Sequence, residues 1–233
     1  MINTKKIKNI IFDFGGVILN LDQSMLVNCM LSKGLDEACL FNDPQFMEVI
    51  FGKLERGIIP PQLAYDRIRS ALGKELPNED IAECWNSVLK EIPEGRIDCI
   101  REVKNNYNIY LLSNTNQIHY DYFLHEFRNK TGLNEFDELF KDAYFSHEIH
   151  LAKPNPEIFE YVMAHSNLKP EETIFIDDLL ENALAAHSTG IQAVHLDLTK
   201  EHDIRDLFQS GLFRPTIDYN RKLYKALDEY KQF

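Results

Sequence analysis

Four short stretches, far apart in the chain, carry side chains able to do chemistry together. Asp13 ends the apolar run Ile10–Phe12 and is followed by Gly15 and Gly16; Ser113, Asn114 and Thr115 end the run Ile109–Leu112. Lys153 stands directly before Pro154, and the adjacent acids Asp177 and Asp178 end the run Ile174–Ile176. Three acids gathered in one place repel one another unless a cation sits between them. Oxygen ligands without a cysteine or histidine partner suit Mg²⁺, which keeps several waters and pairs with phosphate. A carboxylate held next to such an ion stays charged and can attack phosphorus, giving an aspartyl-phosphate. Hydroxyl, amide and backbone N–H groups bind phosphate oxygens, and a lysine adds neutralising charge. Phosphoryl transfer asks mainly for alignment and charge neutralisation, and these residues supply both.

The elements around these residues explain how they could meet. Ile10–Phe12, Ile109–Leu112, Ala143–Phe145 and Ile174–Ile176 are short continuous apolar runs, the pattern of strands buried on both faces, and Ile191–Leu196 reads as another strand. Helical spacing separates them, as in Ile158, Phe159 and Val162 after the N-cap Asn155 and the first-turn Pro156. Strands alternating with helices imply a parallel sheet with right-handed crossovers. The acids and hydroxyls then share the carboxyl edge of the sheet, where open α/β folds gather ligands. Lys153 enters from a loop held by a rigid turn. The glycines after Asp13 permit a tight turn and a close backbone approach.

Between Asp22 and Ile92 the pattern is helical, with Leu63, Ile68 and Leu72 among charged neighbours and breakers at Gly57, Pro60, Pro61, Gly73 and Pro77. This reads as a helical insert (21–93) in an α/β core formed by 1–20 and 94–233, with Pro93 and Gly95 marking the exit. The stretch from Phe213 to Phe233 reads as one further helix, set at about 216–232, with Tyr219, Leu223, Leu227 and Tyr230 at helical spacing, packed on the core or forming a dimer contact. His147 and His150 read as polar loop residues in preference to metal ligands, and the charged stretch with Lys53, Glu55 and Arg56 as a solvated helix surface in preference to one that faces the cleft.

Composition limits the partners. The 233-residue chain carries a net charge of −12, which argues against nucleic acid and anionic membrane surfaces. No apolar stretch approaches membrane-spanning length. Cys29, Cys39, Cys84 and Cys99 form no CxxC pair. The simple reading is a reduced, cytoplasmic protein with buried thiols, monomeric or homodimeric, acting on a small molecule.

The ordered set of FDFGGV around Asp13, LLSN with Ser113 and Asn114, Lys153–Pro154, and FIDD with Asp177 and Asp178 resembles the haloacid dehalogenase-like (HAD) hydrolase superfamily, in its helical-cap, FDxGxV-type form. The resemblance implies a Rossmann-like parallel sheet flanked by helices, with an inserted α-helical cap. It implies a Mg²⁺-dependent phosphatase acting on a small phosphorylated metabolite, sugar phosphates among the candidates. By the same resemblance Asp13 is nucleophile and metal ligand, the Gly15 carbonyl and Asp178 complete the metal site, and Asp177 is a second ligand or a support for one. Ser113 and Asn114 hold the phosphate, and Lys153 neutralises nucleophile and phosphate.

One departure stands out. Phosphatases of this superfamily usually carry an acid–base Asp two residues after the nucleophile, where this chain has Gly15. Loss of such a group typically slows a reaction by about 10²–10⁴-fold. Related FDxGxV phosphatases also lack it. The expectation is an enzyme limited to good leaving groups, such as a sugar 1-phosphate, or slow to hydrolyse its intermediate. Two alternatives remain open: a metal-independent 2-haloacid dehalogenase using the same nucleophile, and a phosphate-binding regulatory module without turnover.

Overall fold

The computed structural model describes residues 4–34, 48–134, 136–214 and 220–230. Five strands form one parallel sheet: β1 (Asn9–Phe12), β2 (Asn108–Ser113), β3 (Asp142–Phe145), β4 (Thr173–Asp177) and β5 (Gln192–His195). Their order is β3-β2-β1-β4-β5, so the chain winds outward from β1 in both directions. β1 is therefore central, pairing Phe12 with Leu111 on one side and with Ile176 on the other.

The apolar runs alternate between two cores. Ile10, Phe12, Leu111 and Ile174 point into one layer, with Ile97, Ile100, Phe123 and Phe127. Ile11, Tyr110, Leu112 and Phe175 point into the other, with Ile158, Phe159, Val162 and Ala183. Helices α4 (Arg96–Lys104) and α5 (Gln117–Thr131) cover the first face; α7 (Pro156–His165) and α8 (Leu180–Ser188) cover the second. Asn155 caps α7 by accepting from the Glu157 N–H, with Pro156 in the first turn, as its sequence requires. Buried Arg96 ties the layers at one end, donating to Asp203 at 2.8 Å and to the Ile18 carbonyl at 3.1 Å.

Between β1 and α4 lie α1 (Gln23–Ser32), a π-helical turn (Glu48–Leu54), α2 (Pro61–Leu72) and α3 (Asn78–Asn86). They have their own apolar cluster, built on Leu26, Met30, Leu54, Ala64, Ile68, Ile81 and Trp85. Ile68 is buried as its spacing predicts, but Leu63 is half exposed and Ala64 takes the inward position. The entering and leaving chains pair as a short ribbon, with Asp22 N–H on the Val88 carbonyl and Lys90 N–H on the Asn20 carbonyl.

Two expectations need correction. Cys29 and Cys84 form a disulfide joining α1 to α3, so this pair is not reduced; 55 positions separate the two and no short motif announces them. Cys99 is free, half-buried, and pushed by burial up to about 11, while Cys39 lies outside the described residues. Phe213 is not helical: it belongs to a two-strand ribbon, β6 (Phe208–Gln209) and β7 (Leu212–Phe213), whose antiparallel pairing buries its ring. The last described helix, α9, spans Arg221–Tyr230 and buries Leu223 against the second core, while Tyr219 lies outside the described residues. No described helix is long and apolar enough to cross a membrane.

Candidate active site

Because the strands are parallel, β1, β2 and β4 all end on one edge, and the structure brings Asp13, Ser113, Asp177 and Asp178 together there. Lys153 is the knot. Its ammonium lies 2.7 Å from Asp13 Oδ1 and 2.8 Å from Asp177 Oδ2. It also donates to the Leu112 carbonyl at 3.0 Å, so one buried cation ties the ends of three strands. Its position is fixed in turn by Asn114, whose side chain donates to the Lys153 carbonyl and accepts from the Lys153 N–H, at 2.8 and 2.9 Å.

Asp177 and Asp178 are adjacent but differently used. Both oxygens of Asp177 are occupied: by Lys153, by the Leu179 N–H at 2.8 Å and by Asn182 Nδ2 at 3.1 Å to each. The Asp178 carboxylate has no side-chain donor among the described residues. Its carboxylate instead packs over the turn after β1. A Cβ at Gly16 would lie 2.4 Å from an Asp178 carboxylate oxygen, and φ there is +74°, so only glycine fits.

The electrostatics show a site short of positive charge. Burial raises Asp13 well above the usual carboxylate range; Lys153 opposes the shift, and Asp177 and Asp178 add to it. Burial pushes Asp178 up to about 6, with Asp177 adding and Lys153 opposing. Burial works against a charged Lys153, but Asp13 and Asp177 outweigh it and raise its pKa. These directions agree: the lysine keeps its proton, and the unmet negative charge falls on Asp13 and Asp178. One oxygen from each of Asp13, Asp177 and Asp178 comes within 4.8 Å of the others, a donor set of hard oxygens that fits Mg²⁺.

Ser113, Asn114 and Thr115 do not cap the following helix. Asn116 does so, accepting from the N–H groups of Ile118 and His119. Ser113 is left facing the cavity, while the side chain of Asn114 is taken up by Lys153. The cavity, of about 630 Å³, runs from Gly15 and Ser113–Thr115 toward the helical segment. Its wall is mostly apolar, including Leu19, Leu26, Trp85, Leu89 and Phe123, with Gln23, Glu55 and His119 as further polar groups. His119 stacks on Trp85 with ring centroids 5.7 Å apart, its Nδ1 lies 2.9 Å from Asn86 Oδ1, and burial pushes it down to about 3, so it is a neutral ring.

Sequence reasoning missed Asn182, Ser146 and His119, and ranked a solvated surface above the cleft for Glu55. Asn182 sits one turn into α8 after FIDD, a spacing that points back at the acids. Glu55 is not the solvated surface charge expected but part of the cavity wall. His147 is buried against Tyr120 and Phe145 rather than in a polar loop, and His150 Nδ1 contacts the Arg56 carbonyl at 2.7 Å.

Known proteins match this arrangement. The profile of the haloacid dehalogenase-like hydrolases matches residues 7–190. A D-ribitol-5-phosphate phosphatase of Bacteroides thetaiotaomicron is 33% identical over 80% of this chain and 90% of its own. A sesquiterpene phosphatase of Aspergillus oryzae is 28% identical over 81% of this chain and 89% of its own. A crystal structure of a HAD family enzyme from B. thetaiotaomicron, in complex with magnesium and inorganic phosphate, superposes with a TM-score of 0.74 at 32% identity, covering 87% of this chain and all (100%) of that one. With the fold, the four motifs and these matches in agreement, the chain belongs to the haloacid dehalogenase-like hydrolase family.

Proposed function

We propose that the protein is a Mg²⁺-dependent phosphatase of small phosphomonoesters. The observation that carries the reading is the cluster of Asp13, Asp177 and Asp178, with buried Lys153 bridging Asp13 and Asp177, beside Ser113 at the same strand edge. Asp13 is the nucleophile: its carboxylate attacks phosphorus, and the alcohol leaves. Asp13, Asp178 and the Gly15 carbonyl would hold Mg²⁺, which when bound supplies positive charge to the phosphate oxygens and keeps the acids ionised. Asp177, saturated by donors, orients Lys153 and the turn to Asp178 rather than offering a free ligand oxygen. Ser113 and the backbone N–H groups of the loop after β2 hold the phosphate, and Asn114 acts mainly by fixing Lys153.

The helical segment 21–93 acts as the cap that chooses the substrate. Its cavity wall is too apolar to satisfy many hydroxyls, and an unpaired substrate hydroxyl there would lose its hydrogen bonds to water. This favours an organic group with an apolar chain or ring, like the substrate class named for the sesquiterpene phosphatase. The higher identity to the ribitol-phosphate phosphatase supports a second reading, a polyol or sugar phosphate held by Gln23, Glu55 and His119. Turnover of geranyl phosphate against ribitol 5-phosphate separates the two, with the prenyl ester expected to give the higher kcat/KM.

The activity itself is tested with an aryl phosphate and Mg²⁺, parent against Asp13→Asn. A fall on the order of 10⁴-fold or more is expected for loss of a nucleophile. Equal turnover by the two proteins would exclude the assigned nucleophile. Chloride release from 2-chloropropionate in the presence of chelator would favour the dehalogenase chemistry instead, and a phosphorylated Asp13 without turnover would favour the regulatory module.

A further inference from the structure

Gly15 leaves the usual place for an acid–base group without a proton carrier, yet the alcohol leaving an alkyl phosphate needs a proton. Glu55 is the one carboxyl in the cavity wall among the described residues, and it shares that wall with Gly15 and Ser113–Thr115. Its backbone is locked to the phosphate loop. The Ser146 hydroxyl lies 2.6 Å from the Glu55 carbonyl and 2.9 Å from the Thr115 carbonyl, and accepts the Thr115 N–H at 2.8 Å. The next carbonyl, of Arg56, is held by His150 Nδ1 at 2.7 Å. Gly57 then lies so close to α6 (Ser146–Ile149) that a Cβ would stand 2.0 Å from the His147 carbonyl oxygen. Three contacts thus fix a turn of the helical segment against the core, one residue from the phosphate loop. The Glu55 carboxyl itself has no hydrogen-bond or ion-pair partner among the described residues. Burial pushes it up to about 7, with Lys153 opposing the shift.

We propose that Glu55 is the acid–base residue of this site, supplied by the helical segment in place of an acid at position 15. The assignment rests on the phosphatase reading. In the first step the Asp13 oxygen–phosphorus bond forms, the ester oxygen–phosphorus bond breaks, and the Glu55 carboxylic acid gives its proton to the departing alkoxide. In the second, the Glu55 carboxylate takes a proton from water as that water attacks phosphorus. The Asp13–phosphorus bond then breaks, releasing phosphate and restoring both carboxyl groups. A proton carrier on the leaving-group side makes a good leaving group unnecessary.

The test compares n-butyl phosphate with p-nitrophenyl phosphate, in the parent, Glu55→Gln and Glu55→Asp proteins, with Mg²⁺. Glu55→Gln keeps the carbonyl that anchors the turn, and a melting curve matching the parent's shows that the fold is intact. The alkyl ester, whose leaving group needs a proton, should lose about 10²–10⁴-fold in turnover. The aryl ester, whose leaving group does not, should give a burst of nitrophenolate equal to the enzyme present, followed by slow turnover and accumulation of phosphorylated Asp13. Glu55→Asp should recover part of the alkyl-ester activity; a merely structural or binding role would produce neither the burst nor the selective loss. An active parent with a Glu55→Gln variant showing the same alkyl-to-aryl ratio and no burst overturns the assignment alone. A parent inert toward both esters overturns the phosphatase reading together with it.

Discussion

The strand edge and the helical segment facing it are built on opposite terms. At the edge, charged groups are buried and interlocked: Lys153 is paired with two acids and a carbonyl, and Asp177 receives donors on both oxygens. Across the cavity the wall is apolar, with polar groups spaced apart and the Glu55 carboxyl unpaired among the described residues. The first arrangement makes a fixed field for one reaction. The second excludes water and leaves room for the shape of the organic group to decide what enters. On the proposed function the edge carries the chemistry and the apolar part of the wall the selectivity, with Glu55 the exception that joins them, so mutations on the two sides should fail differently.

Substitutions at the edge should have the largest effects. Lys153→Met leaves Asp13 and Asp177 facing each other without their counter-charge, and removing one partner of a buried ion pair typically costs about 3–5 kcal/mol. Chemical denaturation should show that loss, and added Mg²⁺ should recover part of it. Asp203→Ala gives a reference away from the site: it strands buried Arg96, with an expected loss of about 3 kcal/mol but no change in the Mg²⁺ requirement of whatever protein remains folded. A Mg²⁺ effect common to both variants would mean that the strand edge is not special.

Asn182→Ala probes the support beneath the acids. It removes the donor to both Asp177 oxygens, and loss of such a support typically lowers metal affinity or activity by about 10–100-fold. Isothermal titration with Mg²⁺ measures it directly.

The pH dependence follows from the raised acids. Asp13 and Asp178 hold their protons more tightly folded than unfolded, Asp178 up to about 6 against an ordinary 3.8. Their contribution to stability is full below the unfolded value and is lost as pH rises through the folded ones. Mg²⁺ binds the ionised acids and restores what is lost, so it should raise Tm more at pH 8 than at pH 5. An equal rise at both values would contradict the shifts.

The smallest effect belongs to the other side of the cavity. Leu21 is partly exposed and lines the cavity, so Leu21→Gln should leave Tm nearly unchanged. It should narrow the preference for apolar over polyol phosphates by about tenfold, the scale on which a hydrophobic pocket discriminates.

Much of this was legible in the chain. Buried parallel strands are continuous apolar runs, and in Ile10–Phe12, Ile109–Leu112 and Ile174–Ile176 the residue that breaks the run is also the one delivered to the site. Lys153, Asn155 and Pro156 signal their own turn. The residues whose roles the chain hides depend on distant partners. Glu55 looks like one charge among Lys53 and Arg56 until the turn at Gly57 docks on His147. Cys29 and Cys84 meet only when α1 packs on α3, and the reduced-thiol expectation failed for that reason. Phe213 reads as helical in the sequence because a strand two residues long has no period to show.

The central claim is that Asp13 carries the phosphoryl group. Rapid quenching of the protein with Mg²⁺ and p-nitrophenyl phosphate, followed by peptide mass spectrometry, measures this directly. The account predicts a phosphoryl adduct on the peptide containing Asp13, absent when chelator replaces Mg²⁺ and absent in Asp13→Asn. Steady turnover with no adduct at Asp13, or with the adduct on another side chain, would contradict it.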